Sequence, residues 1–241
     1  MRNVKQESEE TISTAELYDR VWRRGLYSGF SHATAGEAAT PFLDAYIDAV
    51  KASGKIPARV LELGAGSCDH ALRCARERLH VTAVEYSEVA VTSARERLLH
   101  LADGRLDIVR ADLFAYTRQL APGSLAGAYS NAVFHFLSAE QRVEQYRMLH
   151  GALVDHGVLA ISFKAEGDAL QSRGAVVELT PAGPVVEGDD GIRRLFVTDV
   201  DVLVDEMREA SFTVQDVIRW SVSDYNVARE RGEFVGLLAT R

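Results

Sequence analysis

Apolar and polar residues recur along this chain with two periods, one typical of strands and one typical of helices. Short apolar runs predict five strands in the middle of the chain, at residues 60–63, 81–85, 106–110, 126–134 and 157–163. A period of three to four predicts intervening helices at residues 71–79, 88–101, 113–120 and 139–153. Such alternation is typical of an α/β fold: a doubly wound, Rossmann-like, mostly parallel sheet with helices on both faces.

The pattern changes after the fifth predicted strand. Residues 164–197 have no long helical period, and two short apolar segments there are separated by Pro181 and Pro184, which predicts an irregular insertion containing a hairpin. A helix over 198–210 and strands at 212–220 and 233–240 are expected next. The predicted sheet therefore has seven strands, and its ending on two consecutive strands suggests that the final one is reversed.

The N-terminal part of the chain is helical in pattern and differs in character from the rest. Residues 14–24 and 37–51 predict two helices, and residues 54–57 break the second one. We therefore expect an N-terminal helical lid or cap over residues 1–57 and a core domain over 58–241. Aromatic residues in the first part suit either of two roles, a cover over a ligand or an anchor to the core.

The first predicted strand ends in a glycine turn, Gly64-Ala65-Gly66. Strand, glycine turn and helix bring backbone N–H groups close to a nucleotide-like ligand. A dinucleotide fingerprint requires a third glycine, and Asp69 occupies its place. Glu62, two residues before the turn, would repel a pyrophosphate but could accept a hydrogen bond from an ammonium group.

The sequence VLELGAG at residues 60–66 resembles the first motif of class I S-adenosylmethionine-dependent methyltransferases, with Cys68 in place of the motif's last glycine. Similar motifs follow in order: VEYS at 84–87, ADL at 111–113 and SNAVFHFL at 130–137. The resemblance implies that S-adenosyl-L-methionine is the cofactor. It implies these cofactor-binding residues: Glu62, Gly64, Ala65, Gly66, Glu85, Tyr86, Asp112, Leu113 and Ser130.

Within that set, the resemblance assigns the ribose hydroxyls to Glu85 and the adenine amino group to Asp112. Glu85 lies 19 residues after Gly66, close to the roughly 20 expected between a glycine turn and a ribose-binding acid. Asp112 also suits a helix N-cap, and one residue can serve both purposes.

Residues that bind the methyl acceptor or remove its proton are expected after the fourth and fifth strands. His135 is a candidate general base, although a histidine between two phenylalanines also suits a packed position. Residues 162–168 and 190–196 are similar to bacterial small-molecule methyltransferases of the tellurite-resistance type. Lys164, Arg193 and Arg194 lie where acceptor contacts are expected. Arginine there suits a carboxylate-bearing acceptor, and a solvated surface pair is the alternative. Candidate acceptor-binding residues are Tyr18, Trp22, Tyr27, His32, Lys164 and Arg194.

Composition narrows the possible partners. A formal net charge of −8 gives no basic surface for nucleic acid. No apolar stretch approaches the roughly 18 residues of a membrane span, and we expect a cytoplasmic monomer or homodimer. Two cysteines without Cys-x-x-Cys spacing predict neither a zinc site nor a disulfide framework.

The sequence thus predicts methyl transfer from S-adenosylmethionine to a small-molecule acceptor by in-line displacement. Two alternatives stay open at this point. One is a cofactor-binding protein of methyltransferase fold with a repurposed activity or none, and the other is an NAD-dependent oxidoreductase.

Overall fold

A computed structural model describes residues 19–20, 22–23, 40–54, 58–223 and 230–241. The central sheet contains the seven expected strands: β1 (Arg59–Leu63), β2 (His80–Glu85), β3 (Leu106–Arg110), β4 (Leu125–Ser130), β5 (Leu153–Ala165), β9 (Thr213–Val222) and β10 (Gly232–Thr240). Their order is β3-β2-β1-β4-β5-β10-β9. The first five are parallel, and β10 runs antiparallel to both β5 and β9. The predicted sheet and its reversed final strand are confirmed.

Six α-helices are described: α1 (Pro41–Ala52), α2 (Asp69–Arg76), α3 (Glu88–Leu98), α4 (Leu113–Thr117), α5 (Ala139–Ala152) and α6 (Val200–Glu209). Most begin at a side chain that accepts a hydrogen bond from a backbone N–H in the first turn, as Thr40, Ser87 and Ser138 do. Pro41 occupies the first turn of α1, where its missing N–H costs nothing.

The helices bury both faces of the sheet. Along β1, Val60 faces a core shared with α1, α2 and α3, whereas Leu61 and Leu63 face a second core shared with α5 and α6. Near-continuous burial along β1 and β4 is what a parallel sheet covered on both sides requires. Helix α1 falls within the predicted N-terminal part, yet it packs directly into the first core. The division at residue 57 stays a prediction.

The insertion forms β6 (Gly174–Thr180), β7 (Gly183–Gly188) and β8 (Arg193–Val197). Strands β6 and β7 form the expected hairpin, and β7 continues antiparallel to β8. Strand β8, which the sequence pattern did not indicate, joins the central sheet by pairing parallel to the end of β5. The insertion is therefore an extension of the sheet next to the carboxyl end of β5.

Two boundaries near the site differ from the expectation. Strand β4 ends at Ser130 instead of residue 134, because Ala132 adopts a left-handed φ of 54° and a 3₁₀ turn, Phe134–Phe136, follows. Helix α2 begins earlier than residue 71 and ends at Arg76, since Arg78 has a φ of 69°. In the part of the chain that the structure describes, no helix is both long and apolar enough to cross a membrane.

Candidate active site

The glycine turn adopts left-handed backbone at three of its positions. Gly64, Gly66 and Cys68 have φ values of 65°, 52° and 59°. A Cβ on Gly64 would lie only 2.4 Å from Cγ2 of Val133, so the absence of a side chain there is required. Cys68 stands where the resembled motif has its third glycine, and it adopts the left-handed conformation that glycine favours. Its N–H donates to the Ala65 carbonyl at 2.8 Å, so the turn still forms.

Glu85 joins the end of β2 to this turn. Its carboxylate accepts hydrogen bonds from the N–H groups of Gly66 at 2.9 Å, Tyr86 at 2.8 Å and Ser87 at 2.8 Å. Burial raises the pKa of Glu85, while these backbone hydrogen bonds act in the opposite direction. The predicted ribose-binding acid therefore lies directly against the predicted cofactor turn.

Glu62 is a buried acid with an unsatisfied oxygen. The residue is 5% exposed, and no described residue forms a hydrogen bond with Oε2. Burial raises the pKa of Glu62 well above its usual range, and the nearby negative charge of Asp69 adds to the effect. His70 Nδ1 lies 3.9 Å from Glu62 Oε1, but burial lowers the pKa of His70 to about 4, so this imidazole supplies no positive charge. A cationic group would compensate Glu62.

The remaining predicted cofactor residues lie around the same sheet edge. Ala65 is buried in the turn, and the side chain of Tyr86 is 37% exposed at the end of β2. The exposed Asp112 caps α4 by accepting from the Ala115 N–H at 2.9 Å, so its N-cap role is observed. Ser130 donates its hydroxyl to the Leu63 carbonyl at 2.8 Å, which ties β4 to β1 beside the turn.

Part of the first predicted helix contacts this region. A Cβ on Gly66 would lie 3.2 Å from Cζ2 of Trp22, so this indole covers the turn. The hydroxyl of Ser87 donates to Asp19 Oδ1 at 2.5 Å, a contact that sequence reasoning missed. Tyr18, Tyr27 and His32 lie outside the described residues.

The three predicted acceptor-side residues beyond β4 are all buried. Exposed fractions are 3% for His135, 2% for Lys164 and 5% for Arg194, so the solvated alternative is wrong for Arg194. It holds for Arg193, whose exposed side chain pairs with Glu187. Lys164 Nζ lies 2.7 Å from Asp168 Oδ2, and Arg194 pairs with Asp190. Desolvation lowers the pKa of Lys164 to about 8.

Among the described residues, none forms a hydrogen bond with either ring nitrogen of His135. Its pKa is lowered well below the usual value, first by burial and then by the positive charges of Lys164 and Arg194. The structure therefore brings these three predicted residues into one electrostatic environment. Asp168 and Asp190, which hold the cations, were not predicted, although each lies four residues from its partner in the sequence.

A serine fixes the segment between the glycine turn and His135. The Ser162 hydroxyl donates to Asn131 Oδ1 at 2.8 Å and accepts from the Ala132 N–H at 2.9 Å. Because Val133 packs on Gly64 and lies two residues before His135, a short constrained segment connects the cofactor turn with the buried histidine.

This strand order, the glycine turn and the acid that ends β2 together define a Rossmann-like domain of the methyltransferase class. Residues 60–157 match the family model for a methyltransferase domain. Among curated protein sequences, none matches the chain significantly.

Solved structures with the same fold include methyltransferases of small molecules. 1,6-Didemethyltoxoflavin-N1-methyltransferase from Burkholderia thailandensis, solved with its substrate and S-adenosylhomocysteine, is 17% identical with a TM-score of 0.60. That match covers 97% of this chain and 93% of the other. Magnesium protoporphyrin IX methyltransferase from Synechocystis, with bound S-adenosylhomocysteine, is 17% identical over 83% of this chain and 81% of its own, with a TM-score of 0.58.

One structural neighbour is described by a different reaction. The [4+2]-cyclase SpnF is 19% identical with a TM-score of 0.61, over 94% of this chain and 95% of its own. The comparisons confirm the predicted resemblance to S-adenosylmethionine-dependent methyltransferases and the fold class, and they support the predicted enzyme type and cofactor.

Proposed function

We propose that this chain transfers a methyl group from S-adenosylmethionine to a small-molecule acceptor in the cytoplasm. The observation that carries the proposal is the joining of Glu85 to the glycine turn, because it puts a buried carboxylate where a nucleoside ribose would approach the backbone. Bound at this turn, S-adenosylmethionine supplies a methyl group already activated on a sulfonium.

The described residues suit this cofactor. The unsatisfied Glu62 oxygen would accept a hydrogen bond from the ammonium of its amino-acid part. Glu85 would accept from the ribose hydroxyls, with Asp112 and Leu113 beside the base. Three acids near the turn, Glu62, Asp69 and Glu85, would repel a pyrophosphate, which argues against a nicotinamide dinucleotide.

On the acceptor side, the residues must align a nucleophile and, where it carries a proton, remove that proton. Attack requires the nucleophile at about 3–3.5 Å from the methyl carbon. In-line displacement of this kind would leave the electron pair of the broken carbon–sulfur bond on the cofactor's sulfur. We assign His135 as the proton acceptor for a hydroxyl or protonated amine, a contribution of about 10²–10⁴ in rate. Trp22, Lys164 and Arg194 would border the acceptor.

Calorimetric titration with S-adenosylhomocysteine tests the proposal. We expect binding by the wild-type chain and at least tenfold weaker binding by Glu85→Ala, because the variant loses the ribose acceptor. Glu88→Ala is the matched control: Glu88 starts α3 three residues later, and its exposed carboxylate pairs with Arg110. Wild-type affinity in Glu85→Ala, or equal losses in both variants, would refute the ribose assignment.

The cyclase neighbour supports a second candidate, a repurposed activity in which the cofactor is bound but its methyl group stays in place. A screen of small nucleophiles that measures S-adenosylhomocysteine release separates the two. Methyl transfer to any acceptor excludes the second candidate, whereas cofactor binding without transfer across the screen favours it.

A further inference from the structure

Three buried side chains of the candidate site, His135, Lys164 and Arg194, form what we call the junction cluster. Lys164 lies near the end of β5 and pairs in register with Phe196 of β8. Since Arg194 is two residues before Phe196, it projects to the same side of the paired strands as Lys164. The Arg194 guanidinium lies 5.8 Å from the ring centroid of Phe136, the neighbour of His135.

Both cations in the junction cluster are held in place. Asp168 pairs with Lys164 and also accepts from the backbone N–H groups of Leu170 at 2.9 Å and Glu233 at 3.0 Å. Arg194 pairs with Asp190 and donates to the Ile192 carbonyl at 3.0 Å. Fixed cations lose little conformational entropy when a ligand binds, which favours a preorganised site.

His135 has hydrogen-bonding capacity that the described residues do not use. Neither Nδ1 nor Nε2 has a partner, although the residue is 97% buried. Leaving a buried polar group unsatisfied costs about 1–3 kcal/mol, and such a group calls for an explanation. The charged groups that act on it are Lys164 and Arg194, and burial and these charges together keep the imidazole neutral.

We propose that the junction cluster binds an anionic group of the acceptor, a carboxylate, which accepts hydrogen bonds from His135 and Arg194 beside Lys164. This inference rests on the proposed function, because it names the chemical class of the acceptor. His135 is two residues from Val133, which contacts the glycine turn, so the anion is held near the cofactor.

An anion at this position also gives His135 a more useful pKa. The two cations lower the pKa of His135, and a bound carboxylate offsets their charge. A general base works best when its pKa lies near the working pH. The same group that orients the acceptor therefore prepares the histidine to take its proton.

The test uses the full chain saturated with S-adenosylhomocysteine and calorimetric titration with matched probes. Benzoate, 4-hydroxybenzoate and indole-3-acetate are each compared with their primary amides. We expect at least one carboxylate to bind tenfold or more tightly than its amide. The double variant Arg194→Gln/Asp190→Asn should lose that preference, since it removes the guanidinium without leaving an unpaired buried carboxylate.

Arg193→Gln/Glu187→Gln is the matched control, because Arg193 is adjacent to Arg194 in β8 and forms an exposed ion pair with Glu187 of β7. The control should keep the preference. A missing carboxylate preference across the panel, or one that survives in Arg194→Gln/Asp190→Asn, overturns the inference while intact S-adenosylhomocysteine binding preserves the proposed function. Failure of the wild-type chain to bind S-adenosylhomocysteine overturns the proposed function itself.

A second measurement applies even where the double variant fails to fold. In ¹⁵N-histidine-labelled wild-type protein, the His135 imidazole signals are assigned with His135→Asn. Saturation with the tightest carboxylate should raise the pKa of His135 by one unit or more, and its amide should leave it unchanged. An unchanged titration with both probes contradicts the inference.

Discussion

At the scale of single residues, the glycine turn depends on a close contact between Gly64 and Val133. The valine side chain occupies the space that a Cβ on Gly64 would take, at a separation of 2.4 Å, and Gly64 has a φ of 65°. The contact holds the chain between β4 and His135 against the turn. Two separate penalties therefore oppose any side chain at this position, backbone strain and overpacking.

Gly64→Ala should lower the free energy of unfolding by about 2–4 kcal/mol, roughly 1–2 from left-handed backbone and the rest from the clash. Gly123→Ala is the control, since Gly123 has a φ of 61° but nothing within 4 Å of a Cβ. The free energy of unfolding of Gly123→Ala should fall only by the part due to left-handed backbone, about 1–2 kcal/mol. Urea unfolding measures both, and equal losses would show that the Val133 contact carries no energy.

Glu62 should make the stability of the unliganded protein depend on pH. Its pKa is raised in the fold, chiefly by burial, so folding favours the protonated carboxyl. The stability that this group contributes is present below pH 4.5, the ordinary pKa, and is lost as the pH rises toward the folded-state value. Glu62→Gln removes the titration while keeping the size of the side chain.

We therefore expect Glu62→Gln to be more stable than the wild type at pH 8 by about 1 kcal/mol or more, and to lose this advantage at pH 4. Urea unfolding at the two values measures the difference. The same variant should bind S-adenosylhomocysteine more weakly, because the amide cannot balance an ammonium charge. A difference in stability that is constant with pH would contradict the environment described for Glu62.

The amino-acid sequence predicted the positions of some of these site residues and not of others. Glu85 was predicted to end the second strand, and it does, because the strand period places it there. Its hydrogen bond to the glycine turn was not predicted. For Asp112 the structure shows the N-cap role, the alternative to the adenine contact that the resemblance implies. The burial of Lys164 and Arg194 could not be predicted, since it depends on β8 pairing with β5, a contact between distant segments.

At the scale of elements, α5 and α6 are joined by two ion pairs of contrasting environment. Arg142 and Glu206 have side chains only 4% and 10% exposed, and Arg142 also donates to the Leu137 carbonyl at 2.8 Å. Arg147 and Glu209 pair across the same helices, but their side chains are 58% and 61% exposed. The buried pair also holds the end of the turn that carries His135.

Arg142→Leu should lower the free energy of unfolding by about 3–5 kcal/mol, because it leaves Glu206 buried without its cation. Arg147→Leu, the control, should change it by about 0–1 kcal/mol, as expected for an exposed pair. Thermal unfolding checks both, and Arg142→Leu/Glu206→Leu should recover part of the loss. Similar costs for the two single variants would show that burial of the pair does not matter.

Element boundaries were predicted well where local pattern decides them. Strand β3 begins and ends as expected, at Leu106 and Arg110, because its apolar run is bounded by polar residues. Strand β4 was predicted four residues too long, since Val133 and Phe134 continue its apolar run. The chain leaves the sheet at Ala132, which adopts left-handed backbone. No pattern in the sequence predicts that conformation for an alanine.

At the scale of the whole molecule, helix α1 from the first part of the chain packs against the last two strands, β9 and β10. Phe42 of α1 stacks on Trp220 of β9 with ring centroids 5.1 Å apart. A Cβ on Gly236 of β10 would lie 2.5 Å from the Phe42 ring. Helix α1 is thereby an integral layer over β10 and β9, although its sequence position precedes the glycine turn.

Gly236→Ala should therefore destabilise the whole fold by about 1–3 kcal/mol, the usual cost of overpacking, which lowers Tm by roughly 2–4 °C per kcal/mol. Gly151→Ala, in exposed helix with nothing within 4 Å of a Cβ, should instead raise Tm, because alanine favours helix. Phe42→Leu should cost less in the Gly236→Ala background than alone, since the smaller side chain relieves the clash. Strictly additive changes in this double-mutant cycle would mean that α1 and β10 adjust independently, contrary to the packing that joins the two ends of the described chain.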